Sequence, residues 1–157
     1  GMKRKPFQDS PTPAGNSVGA LVLDRLAALA ELPDYRTKAQ NILNLLAAKA
    51  GDYGLFAATY GLALANHLRE PVEVVVVGSA ADSRTRGLLM AAYQAPRAGK
   101  SVFFFEPETL ESNSLPKGLA STLPNLPLDG EPLALVCVDN SCQPPIKHPE
   151  ALTQALR

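Results

Sequence analysis

The stretch Val-Glu-Val-Val-Val-Val, residues 72–77, constrains this chain more than any other feature. β-Branched side chains favour extended backbone, and this run is of strand length and closed by Gly78. It does not alternate apolar with polar, so neither of its faces is written for water. Such a run reads as a central, parallel strand. The rest of the sequence must then supply cover for both of its sides.

The residues before it have helical periodicity. Pro6 to Asn16 are rich in proline, glycine and polar side chains and form an extended lead-in, residues 1–15, with Gly1 ahead of Met2 read as a residue left by an expression tag. Asn16 or Ser17 then caps a helix over 18–30. Val18, Leu21, Val22, Leu26 and Leu29 make its apolar side, and Asp24 and Arg25 its wet one. A second helix, 35–49, carries Tyr35, Ala39, Ile42, Leu43 and Leu46 inward. Gly51-Asp52 ends it and starts a third over 53–68 that is apolar almost all round.

After the 72–77 strand, a helix over about 82–93 and the run Ser-Val-Phe-Phe-Phe-Glu (101–106) complete a βαβ unit. Residues 107–132 contain five prolines and one short helical turn near 117–123, and read as a surface crossing. A third strand, 133–139, and a closing helix, 149–156 with Pro149 at its first turn, follow. The expected class is α/β. A three-helix segment (16–70) packs, as one domain, on a small, mostly parallel three-stranded sheet (71–157) flanked by helices.

Fifteen basic and fifteen acidic residues cancel, and no basic run follows Lys3-Arg4-Lys5. That excludes the electrostatic footprint of nucleic-acid or anionic-membrane binding. No apolar segment follows the basic start as a signal peptide requires, so the chain reads as cytoplasmic. Helices 18–30 and 53–68 carry more apolar perimeter than a small sheet covers. A homo-oligomer, or association with a missing portion of a larger protein, is expected through them.

Three places hold residues with chemistry. Cys137 and Cys142, the only cysteines, are open to reading as a redox couple, half a metal site, a disulfide, or one core thiol and one loop thiol. The last is preferred, because a strand thiol behaves as a small hydrophobe and a reducing compartment opposes the bond. His67 and His148 do not complete a zinc pattern, and neither metal nor cofactor is expected. The turn Gly78-Ser79-Ala-Ala-Asp82-Ser83-Arg84 offers a helix start able to hold an anion, although it is neither a dinucleotide fingerprint nor a P-loop. Asn16 and Ser17 are the third place, as helix cap or polar-ligand contacts. No nucleophile elbow is present, and Glu106, Glu108 and Glu111 read as solvated loop acids. The balance favours a non-catalytic interaction module. The alternative is a binding protein or hydrolase for a sugar or phosphorylated ligand at the sheet's carboxyl edge.

Three strings together resemble a known family: Thr-Pro-Ala-Gly-Asn-Ser-Val-Gly-Ala-Leu-Val-Leu-Asp-Arg-Leu-Ala (12–27), Pro-Val-Glu-Val-Val-Val-Val-Gly (71–78) and Val-Cys-Val-Asp-Asn-Ser-Cys-Gln-Pro-Pro (136–145). In this order they are similar to the C-terminal end of the thioredoxin-domain-containing proteins related to spermatogenesis-associated proteins. That resemblance implies a thioredoxin-like domain joined to an α/α toroid of the six-hairpin glycosidase type, of which this chain would be the last part. It also implies that a helix start such as Asn16-Ser17 faces the toroid's cleft. The chain has no Cys-x-x-Cys, so the thioredoxin part is absent from it.

Overall fold

In the computed structural model, the described residues are 7–110, 115, 117–120, 122–126, 129–138 and 141–157. Glu111 and Asp139 lie outside them. The chain is mixed α/β and divides into two compact units, Gly1–Glu70 and Pro71–Arg157.

The first unit is helical: α1 (Gly15–Ala30), α2 (Pro33–Tyr53), a 3-10 turn (Gly54–Ala57) and α3 (Ala58–His67). Gly51-Asp52 does not end the second helix, which runs on to Tyr53. The break comes at Gly54, whose φ of 51° and ψ of −124° suit only glycine. The core joins Ala20 of α1, Ala39 and Leu43 of α2, and Ala57, Tyr60 and Ala63. Alanines at these crossings let the helices approach closely.

Two expectations for α1 are reversed. Its buried residues are Ser17, Ala20 and Asp24, spaced i, i+3, i+7, while Val18, Val22 and Leu26 point outward. Its start is also not capped by Asn16 or Ser17. The N-cap position is Ala14, whose N–H donates to Asp9 Oδ1 at 2.7 Å. Asp9 Oδ2 accepts from Thr59 N–H in the first turn of α3, also at 2.7 Å. Residues 7–14 are therefore docked on their own unit, and Phe7 sits with its ring 5.0 Å from Tyr53 and 5.6 Å from Tyr60.

The second unit is a four-stranded mixed sheet in the order β2-β1-β3-β4, formed by β1 (Val72–Val77), β2 (Lys100–Phe105), β3 (Leu133–Val138) and β4 (Ser141–Cys142). β1 and β2 are parallel, joined by α4 (Ser83–Gln94). The expected mostly parallel, three-stranded arrangement is corrected at β3, which lies against β1 antiparallel with Leu133 opposite Val77. The connection after β2 leaves from and returns to the same end of the sheet, and this leaves β3 only the antiparallel direction.

Both faces of β1 are buried, as its four consecutive valines, 74–77, require. Val72, Val74 and Val76 join Leu88 and Ala92 of α4, and Leu152 and Leu156 from α6 (Pro149–Ala155) and its C-cap. Val75 and Val77 join Leu133 and Leu135 with Leu110, Leu119 and Leu123. Those last three belong to the stretch expected to run over the surface, which includes the single turn α5 (Lys117–Ala120). It is the sheet's second cover, because its prolines are interleaved with leucines that bury themselves against the valines of β1.

Lys100, the first residue of β2, donates to the carbonyls of Ala92 and Ala95 (2.7 Å to the latter) at the end of α4. These are orphan acceptors at the negative end of the helix dipole. Burial there pushes the ammonium's pKa below its usual value.

Candidate functional site

The turn after β1 is shaped by one close approach. Gly78 N–H donates to Phe105 O at 3.2 Å, and a β-carbon at Gly78 would stand 2.5 Å from Thr85 Oγ1 and 2.9 Å from Pro132 Cβ. Gly78 is thus a packing residue sealed under its neighbours. Ser79 Oγ accepts from Ala81 N–H at 3.3 Å, and Ala80 N–H donates to Glu106 Oε1 at 3.0 Å. Asp82 caps α4 by accepting from Arg84 N–H at 2.7 Å. It also holds the Arg84 guanidinium at 2.9 Å, an arrangement that lowers the Asp82 pKa and raises that of Arg84.

Ser83 and Arg84 do reach an open space. They line a cleft of about 410 Å³ together with Gly87, Glu131, Pro132, Lys147, His148 and Pro149. It lies at the carboxyl end of β1, where ligands of α/β sheets usually bind. Sequence reasoning found the α4 side of this cleft and missed Glu131, Lys147 and His148. Its one available signal was Pro149, since a helix start there places His148 at the N-cap. The charges in the cleft are already engaged. Lys147 Nζ meets Glu131 at 2.7 Å and Asp129 at 2.8 Å, which raises its own pKa and lowers that of Asp129. Arg84 lies 3.5 Å from Glu131. An incoming anion must displace Glu131 from both cations.

In the helical unit, Ser17 is fully buried with its hydroxyl unpartnered, and Asn16 beside it is partly buried. Asp24, assigned above to the wet side, is 5% exposed and faces His67 of α3. The His67 Nδ1–H donates to Asp24 Oδ1 at 2.9 Å, since a carboxylate only accepts. Arg36 of α2 donates to His67 O at 2.8 Å, so the three helices meet at this point. The partner that allows Asp24 inside comes from a residue 43 positions away, which no local pattern reveals.

The outward side of the same unit is apolar. Val18, Val22 and Leu26 form a stripe at i, i+4, i+8 on α1, Val22 being 48% exposed, and Leu55, Phe56 and Leu62 are exposed on the 3-10 turn and α3, Leu55 at 91%. Leu21 and Leu64, by contrast, pack against the unit's own core.

Cys137 and Cys142 are joined by a disulfide. The preferred reading of two separate thiols is corrected by the strand register, which sets these residues directly opposite each other on β3 and β4. Among the described residues, no group of three His, Cys, Asp or Glu side chains is placed to hold a metal ion, and no helix is long and apolar enough to cross a membrane.

No protein-family model, curated protein or solved structure matches this chain.

Proposed function

We propose that this chain is a non-catalytic interaction module whose helical unit binds further helices through the outward side of α1 and the 54–62 segment. One observation carries the reading. α1 buries Ser17, Ala20 and Asp24 in its own unit, packs Leu21 and Leu23 at the margin of that core, and leaves Val18, Val22 and Leu26 exposed. Burying each such side chain is worth about 1.5–3 kcal/mol, so a stripe of three, with Leu55, Phe56 and Leu62 also exposed on the same unit, is costly to leave wet. A helix meant to face water would carry the opposite pattern.

This agrees with what the resemblance implies, a C-terminal part of a thioredoxin-domain-containing, toroid-type protein whose other helical hairpins would cover these residues. Without that remainder, a second copy of the chain is the occupant. The test is solution mass with a charge placed on the stripe. Val22→Asp and Leu62→Asp are the informative changes, because Leu21 and Leu64 serve the fold itself. Assembly lost with the unit still folded supports the reading, and an unaltered monomer in every case overturns it.

The second reading is a site for a sugar or phosphorylated ligand in the cleft at Ser83 and Arg84. The convergence of Arg84, Lys147 and His148 from distant segments on one concave space favours it. A phosphate would take the place of Glu131 between the two cations. Thermal shift against a panel of sugar phosphates tests it, with loss of any shift in Arg84→Ala. A flat response across the panel removes the reading.

A further inference from the structure

The Cys137–Cys142 disulfide ties β3 to the first residues of the sheet's edge, and the two sulfurs have different surroundings. Cys137 is sealed in the apolar cluster beneath Leu119 and Leu123, whereas Cys142 is partly exposed on the edge strand. Beyond Cys142 the ladder is sparse. Gln143 N–H donates to Val136 O at 2.9 Å, and the next bonds come only at Ile146, which exchanges a pair with Ala134 at 2.7 and 2.8 Å. Pro144 and Pro145, between them, have no N–H to give. The edge is therefore held at one end by backbone bonds and at the other by the disulfide.

We propose that Cys137 and Cys142 form a reversible thiol–disulfide exchange site, opened by a dithiol reductant that attacks Cys142 Sγ. The proposal goes beyond the interaction reading and does not depend on it. A thiolate of the reductant forms a bond to Cys142 Sγ as the Cys137–Cys142 bond breaks, and Cys137 leaves as a thiolate that takes up a proton. The reductant's second thiol then displaces Cys142, which leaves and is protonated in turn. Two electrons and two protons reach the protein, and the dithiol becomes a disulfide.

Two features make the step directional and reversible. Both residues pack on the same apolar cluster, but Cys137 is buried in it whereas Cys142, on the edge strand, keeps part of its surface open to a nucleophile. The register that sets the two residues opposite, with Cα atoms 4.0 Å apart, is kept by the Ala134–Ile146 bridge and the Gln143 bond. The reduced thiols thus stay facing each other and can close again on an oxidised partner.

The experiment treats the whole chain with excess dithiothreitol in native buffer, quenches with iodoacetamide and reads the mass, while circular dichroism follows the fold. Two alkylations on a chain that keeps its dichroism, and closure again with oxidised glutathione, are expected. Opening only under conditions that also unfold the chain overturns the proposal. Direction is read from the free thiols of Cys137→Ala and Cys142→Ala against an aromatic disulfide reporter. Cys142, left in the first, should react roughly tenfold or more faster than Cys137, left in the second. Equal rates overturn the assignment. Should either variant misfold, the glutathione mixed disulfide trapped on the wild-type chain is mapped by peptide mass, and adduct on Cys137 instead of Cys142 is the refuting result.

Discussion

Replacing Gly78 by alanine tests whether the turn after β1 is fixed by contact or by backbone conformation. The added carbon would lie 2.5 Å from Thr85 Oγ1, 2.9 Å from Pro132 Cβ and 3.2 Å from Pro132 Cα. Carbon atoms rest at about 3.5–4.0 Å from their neighbours, so Pro132 alone would have to yield by roughly half an ångström or more. Its ring is rigid, and Thr85 is β-branched on a helix with little rotamer freedom. Overpacking of this kind costs about 1–3 kcal/mol. Gly78 has no positive φ, so alanine also recovers about 0.4–1 kcal/mol by restricting the unfolded chain, and the net loss is about 1–2 kcal/mol. A unit of this size should melt lower by about 4–8 °C per kcal/mol. Adding Thr85→Ala removes the closest contact but not Pro132, so the double variant should recover part of the loss. A Gly78→Ala protein as stable as the wild type, or one indifferent to the second change, would refute the reasoning.

Thr85→Val alone should be neutral or stabilising by about 1 kcal/mol in chemical denaturation, since the buried hydroxyl it removes has no partner. Loss of stability would mean that the hydroxyl is satisfied in solution. His67→Leu should cost about 3–5 kcal/mol by leaving the buried Asp24 carboxylate uncompensated, whereas replacing both residues by leucine should cost far less. Equal losses in a urea titration would show that the two side chains are not coupled. Asp9 accepts two backbone N–H groups, which hold its carboxyl below the usual 3.8. A depressed carboxylate contributes stability above its unfolded pKa and loses it as pH falls through the folded one. Asp9→Asn should therefore flatten the acid limb of the helical unit's melting profile below about pH 4, and an unchanged limb would count against the contact.

The sheet unit was the more legible half of the sequence, because its signals are local. Five valines in a six-residue run declare a strand, Asp82 before a periodic stretch declares a helix start, and Pro149 declares another. What stayed hidden depended on distant partners. The direction of β3 follows from where the 107–132 connection travels, and that stretch looked like a surface crossing because its prolines masked Leu110, Leu119 and Leu123. The disulfide depended on strand register, which a four-residue spacing does not specify.

The helical unit misled for a different reason. Apolar periodicity identified α1 as a helix and placed Leu21 inward and Arg25 outward, but it also turned Val18, Val22 and Leu26 inward and Asp24 outward, since a face of Ser17, Ala20 and Asp24 becomes a core only when Ala63 and His67 are there to meet it. The docked Asp9 had no signature at all, being an acid in a proline-rich lead-in. In the candidate cleft, Ser83 and Arg84 were legible as the start of a helix, while Lys147 and Glu131 reach it only through the fold of the sheet.

The interaction reading is tested most directly by multi-angle light scattering of the wild-type chain beside Val22→Asp, with dichroism as the check on folding. The account predicts a wild-type assembly larger than one chain that becomes a folded monomer in the variant, because Val22 lies in the middle of the stripe on α1. A wild type that runs as a soluble monomer across concentrations, with the aspartate changing neither its mass nor its solubility, would contradict it.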